Sequence, residues 1–112
     1  VALPAYQNYS NRARFSEAVL SVTPRKTAME LAIQTRQPTA TTDLDAAVMG
    51  IPADQARSTT LHGLGVLDGV ITVTWRNDSS DLDGITYTLT ANGINPPVSW
   101  TEGGSCLTNG FC

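Results

Sequence analysis

Apolar residues recur at steps of three and four along the first part of the chain and at steps of two in its later part, and that change of period divides the protein. Phe15, Ala18, Val19, Val22, Lys26, Met29 and Ile33 fall on one face when the chain is wound as a helix. Six of these can bury fully, and the Lys26 stem can lie along the same stripe while its ammonium reaches water. A second, weaker set, Tyr6, Tyr9, Ala13, Leu20 and Leu31, falls roughly on the opposite side. Two apolar faces imply two partners, although single exposed apolar residues are also ordinary on soluble proteins. A helix over 3–35 would span roughly 50 Å, longer than a domain of this mass, so part of it is expected to project.

Two prolines punctuate that helix, Pro4 and Pro24, and each removes an amide donor and crowds the carbonyl four residues back. Kinks are expected at both. Pro24 could instead open a second helix with Thr23 as its cap. The kinked continuous helix is preferred because the buried stripe keeps phase from Val22 to Met29. Arg36-Gln37-Pro38 then ends it, since Pro38 biases its predecessor away from helical angles.

Residues 37–60 turn to Thr, Asp, Pro and Ala with no sustained period and read as a connecting loop with short helical turns. Asp43 or Asp45 is expected to cap a turn running through Val48, and Pro52 to start another. From Leu61 the period is two. Ile71, Val73 and Trp75 alternate with Thr72, Thr74 and Arg76, and Ile85, Tyr87, Leu89 and Ala91 alternate with Thr86, Thr88 and Thr90. Asp68-Gly69 between Gly-Val-Leu and Val-Ile-Thr signals a two-residue hairpin, because such turns need positive φ. Strands near 61–67, 70–76, 85–91 and 98–101 make a four-stranded antiparallel meander, one face packed on the helix stripe. The fold class is α+β, in one domain of residues 1–112: a helix over 1–36, a loop over 37–60, a sheet over 61–101 and a tail over 102–112.

Composition narrows the function more than the fold. The 112 residues suit a single domain with a moderate core. Charged residues make up only 15%, so Thr and Ser carry most of the polarity, as in secreted β-rich proteins. The net charge of −3 argues against a whole-surface attraction to nucleic acid, and no nucleic-acid partner is expected for the head alone.

Both cysteines, Cys106 and Cys112, lie at the end of the chain. A disulfide there would clasp the tail and imply an oxidising compartment. A metal or redox pair is the alternative, with no further Cys and only His62 to help it. No Ser/His/acid set, Gly-rich phosphate loop or zinc spacing appears, so the reading is of a protein without catalytic residues and without a cofactor. His62 reads as packed or solvated. Asp81 and Asp83, within NDSSDLDG, leave a calcium loop only weakly supported, because the oxygen ligands depart early from the usual order. Asn8-Tyr9-Ser10 and Asn77-Asp78-Ser79 fit the glycosylation acceptor pattern.

No run of eighteen apolar residues exists, so these residues contain no membrane span. The opening VALPAY has no initiator Met and no charged leader, which suggests an apolar helix cut short. The run ALPAYQNYSNRARFSEA at 2–18 resembles the segment of type IV pilins where the apolar amino-terminal helix passes into the headgroup, including the Leu-Pro-Ala-Tyr bend. The resemblance extends through Pro24, the Thr-rich strands and the terminal cysteine pair. It departs from many pilins in the residues between Trp100 and Cys106, and in how short the clasped loop is.

What the resemblance implies is a headgroup whose missing part is an apolar helix of roughly twenty residues, long enough to cross a bilayer. That helix would hold the subunit in the inner membrane with its head in the periplasm, and then pack among copies of itself in an extracellular helical filament built by the pilus assembly machinery. The implied function is a structural subunit serving adhesion, motility or DNA uptake. Val1, Leu3, Tyr6, Tyr9, Leu20 and Leu31 are the expected subunit contacts. Two alternatives remain: a type II secretion pseudopilin, and a minor pilin acting as an adhesin or DNA-binding module.

Overall fold

The structure, a computed structural model, describes the backbone of residues 3–112 and the side chains from residue 7 onward. The helical segment is assigned as α1, Leu3–Ser21, and α2, Thr23–Thr35, on either side of Val22. Val22 itself keeps right-handed helical angles, φ −81° and ψ −13°, so the path bends without leaving the helix. Pro24 lies at the start of α2 and cannot donate to the Leu20 carbonyl, which accounts for the break. Thr23 does not cap α2, in line with the kinked reading. The bend expected at Pro4 falls at the limit of the described residues. The long dimension of the molecule is 53 Å, against 26 and 17 Å across, as a projecting helix requires.

The sheet is the expected meander in the order β1-β2-β3-β4, all neighbours antiparallel. Its strands are β1, Gly63–Leu67; β2, Val70–Thr74; β3, Thr86–Ala91; and β4, Trp100–Gly103. Asp68 and Gly69 close the first hairpin with φ of 50° and 81°, the doubly positive turn whose twist suits the strands it joins. Leu64 faces Val73, Val66 faces Ile71, Ile71 faces Leu89 and Val73 faces Tyr87, so cross-strand apolar pairs build the inner face. Thr72, Thr74, Thr86, Thr88 and Thr90 occupy the other side of β2 and β3, half-buried.

Phe15, Ala18, Val22, Met29 and Ile33 are buried against that inner face, with Val19 half-buried beside them. The Lys26 ammonium stands 5.9 Å from the centre of the Trp100 ring. Trp75 is the largest fully buried side chain.

Three expectations are corrected. The fourth strand runs over Trp100–Gly103, not 98–101, so Glu102 and Gly103 belong to the sheet and the tail proper starts at Gly104. Pro96 and Pro97 have no amide to donate, and before β4 the chain offers only a Ser99 carbonyl to Asn92. Residues 37–60 hold no capped helix through Val48 and none after Pro52. They hold a single turn of 3₁₀ helix, Thr41–Asp43, whose last residue folds back so that its carboxylate accepts from the Thr39 and Ala40 amides. The loop is also less of a loop than expected. Gln55 exchanges both backbone hydrogen bonds with Leu64 and covers the open edge of β1, while Leu44 and Ile51 enter the core.

Candidate subunit-contact site

The helix has one face committed to the head and one left over. Tyr9, Leu20 and Leu31 are 74%, 69% and 58% exposed. Each is eleven positions from the next, a separation of about three turns and roughly 16 Å along the axis, with a drift of only ~20° per step. They form one outward apolar line, interleaved with the small exposed residues Ala13, Ser16 and Thr27. The other expected contacts are Val1, Leu3 and Tyr6: Val1 lies outside the described residues, as do the side chains of Leu3 and Tyr6.

A polar network locks the buried side of the helix to the sheet. Trp75 stacks on Phe15 at 5.8 Å and against His62 at 4.4 Å between ring centres, and its indole N–H donates to Asp78 Oδ2 at 3.0 Å. The Arg76 amide donates to His62 Nδ1, which makes that nitrogen an acceptor and places the ring proton on Nε2, facing Glu17 Oε2. Arg76 reaches both Glu17, at 3.2 Å, and Asp78, at 3.3 Å. Hydrogen bonds from Ser80 and then Trp75 hold the Asp78 carboxyl well below the usual carboxylate range. His62 is therefore packed and hydrogen-bonded at both nitrogens, a joint between helix and sheet. Glu17 and Asp78 have a part in this joint that periodicity does not reveal, because Glu17 sits on the exposed side of α1 and Asp78 lies in the loop after β2.

The tail is fixed at several points. The Cys106–Cys112 disulfide is formed, with Cα atoms 5.4 Å apart. Cys106 lies in a short helix, α3, Ser105–Asn109, which ends at Gly110 in the left-handed region. Ser105 and Thr86 exchange hydrogen bonds at 3.0 Å, pinning the tail to β3. Arg12 donates through Nε and Nη2 to the Gly110 carbonyl, both at 3.2 Å, tying the tail to α1. Next to this tie, Tyr87 donates to Glu102 Oε2 at 2.6 Å, and burial followed by that bond pushes its phenol well above the ordinary value. Replacing both cysteines by serine is expected to cost about 2 kcal/mol, the entropy of a short closed loop. Thermal melts of the oxidised and serine forms would measure it. Amide exchange should quicken first at Phe111, whose N–H is bonded to the Cys106 carbonyl.

The two carboxylates considered for calcium do not converge. Asp83 pairs with Arg57 at 2.8 Å, whereas Asp81 accepts from Asn11 at 3.3 Å. Among the described residues no group of three or more metal-ligating side chains occurs. Nor is any described helix long and apolar enough to cross a membrane. Asn8 and Asn77, the two acceptor asparagines, are both exposed.

A long helix forming the spine of a small antiparallel sheet on one side and offering an apolar line on the other defines an α+β headgroup of the filament-forming class. The family model for pilin, a bacterial filament, matches residues 11–110, and the chain belongs to that family. It is thus a structural subunit of a filament made of copies of itself. No curated protein matches the chain.

Proposed function

We propose that this pilin is the subunit of a type IV pilus that polymerises through its amino-terminal helix, and that Tyr9, Leu20 and Leu31 contact neighbouring helices in the filament. The observation that carries this is the outward apolar line on a helix whose other face is already the core of the head. Large apolar side chains held in water on a rigid helix gain stability only when another surface covers them, roughly 25 cal/mol for each Å² removed from solvent. Val1, Leu3 and Tyr6 continue the same contact toward an apolar helix preceding Val1, which holds the subunit in the inner membrane before assembly. The disulfide suits a head that matures in an oxidising compartment outside the cytoplasm. The separate engagements of Asp81 and Asp83 favour a pilus over a calcium-dependent pseudopilin. The acidic balance favours adhesion or motility over direct DNA binding by the head.

Tyr9→Asp, Leu20→Asp and Leu31→Asp, combined in the full-length protein, are expected to abolish filaments in electron micrographs. The isolated head should keep its stability to within about 0.5 kcal/mol per site, as exposed substitutions do. Normal filaments from the triple variant would sink the proposal.

A further inference from the structure

A filament that grows without closing requires two different surfaces on every copy, one that gives and one that receives. The head carries such a pair. The receiving surface is a groove of about 300 Å³ between α1 and the clasped tail, lined by Ser16, Val19, Leu20 and Phe111, with Arg12 and Glu102 as its charged groups. Glu102 is engaged by the Tyr87 hydroxyl. Arg12 uses Nε and Nη2 on the Gly110 carbonyl, which leaves Nη1 without a partner among the described residues. The giving surface is the tip of the β1–β2 hairpin. Leu67 is 67% exposed there, and Asp68 follows it in the turn. The carboxylates around this tip, Asp45, Asp54 and Asp68, form no ion pair among the described residues, and neither does Arg12.

Their placement excludes self-contact. Gly69 of the tip accepts from the Ala91 amide, and Ala91 faces Trp100, whose indole donates to Glu30 of α2. The tip therefore lies at the α2 end of the sheet, on the β1 side, whereas the groove lies beside α1, on the β4 side. A single repeated contact between diagonal corners carries each copy along the helix direction from the last.

We propose that the hairpin tip of one copy seats in the α1–tail groove of the next, with Leu67 against Val19 and Phe111 and the Asp68 carboxylate at the Arg12 guanidinium. This rests on the filament reading above and adds to it a contact between heads. It also gives the disulfide a second role, because the clasp holds Phe111 in the groove wall.

The test uses full-length protein assembled into filaments. Ser16→Cys with Leu67→Cys, and separately Leu20→Cys with Leu67→Cys, should give a ladder of covalent oligomers on non-reducing gels after mild oxidation, and the single variants should give none. Asp68→Asn keeps a residue that accepts the positive φ, and it should weaken filaments against shear; Arg12→Gln, which also releases the Gly110 carbonyl, should weaken them at least as much, and adding Asp68→Asn to Arg12→Gln should weaken them no further. Filaments without a ladder from both cysteine pairs would overturn the seat while leaving the filament reading intact. A covalent dimer from a single variant would also overturn it, showing a like-to-like contact instead. Failure of the unmodified protein to form filaments in the same preparation would count against the filament reading itself.

Discussion

Trp75→Ala is expected to destabilise the head by about 3–5 kcal/mol, the range for removing a fully buried large aromatic side chain. Against a typical total of roughly 5–15 kcal/mol, that is a large part of the stability of a domain this size. The effect combines two losses. The indole is 1% exposed and fills the space between Phe15 and His62, so truncation leaves a cavity at the join of helix and sheet. It also removes the N–H that reaches Asp78, a carboxylate that in turn orients Arg76. Trp75→Phe should cost less, since a six-membered ring stays while the pyrrole part and its hydrogen bond go, at about 1–3 kcal/mol. Urea denaturation followed by far-ultraviolet circular dichroism measures both. A cost for alanine below about 1.5 kcal/mol would mean that the helix is not anchored at this point.

Gly104→Ala should be comparably severe for a different reason. Gly104 has φ of 103°, a conformation that residues with a Cβ rarely adopt. The added methyl would also stand 2.5 Å from the Thr86 carbonyl oxygen, 2.8 Å from its carbon and 2.9 Å from the Tyr87 Cα. All three are backbone atoms of a central strand, so no rotamer change relieves the clash. Strain and overpacking of about 1–3 kcal/mol each place the cost at roughly 2–6 kcal/mol. The turn into the tail should open, and with it the paired bonds between Ser105 and Thr86. Gly93→Ala is the control, because its methyl would meet nothing within 4 Å. Equal melting temperatures for the two variants would contradict this account.

Much of the architecture was legible before folding was considered. The stripe from Phe15 to Ile33 repeats often enough that only a helix can gather it, and Asp68-Gly69 has a conformational requirement strong enough to place a turn. Alternation in β2 and β3 is unbroken because each strand has one wet and one dry face. Elsewhere the signal is sparse. Leu44, Ile51 and Leu82 are buried, yet Leu44 and Leu82 each stand between two aspartates, Ile51 stands between Gly50 and Pro52, and no period points to any of them. The limits of β4 depend on which backbone groups of β3 remain to be paired, a property of the partner and not of the strand. Asn11, 8% exposed and bonded to Asp81, reads as an exposed helix residue until the loop after β2 folds over it.

The candidate site divides in the same way. Local sequence determined that Tyr9, Leu20 and Leu31 share a helix face, because helical geometry is set by neighbours three and four residues away. It also determined that the cysteines were close enough to pair. Only the tertiary structure decided that this face looks outward, that Arg12 meets Gly110, and that His62 joins Glu17 to the Arg76 amide. Those contacts join residues 98, 45 and 14 positions apart in the chain. Hydrophobic burial chooses which elements meet but carries no direction, so the polar groups that end up facing one another at a join are settled only when the whole core closes.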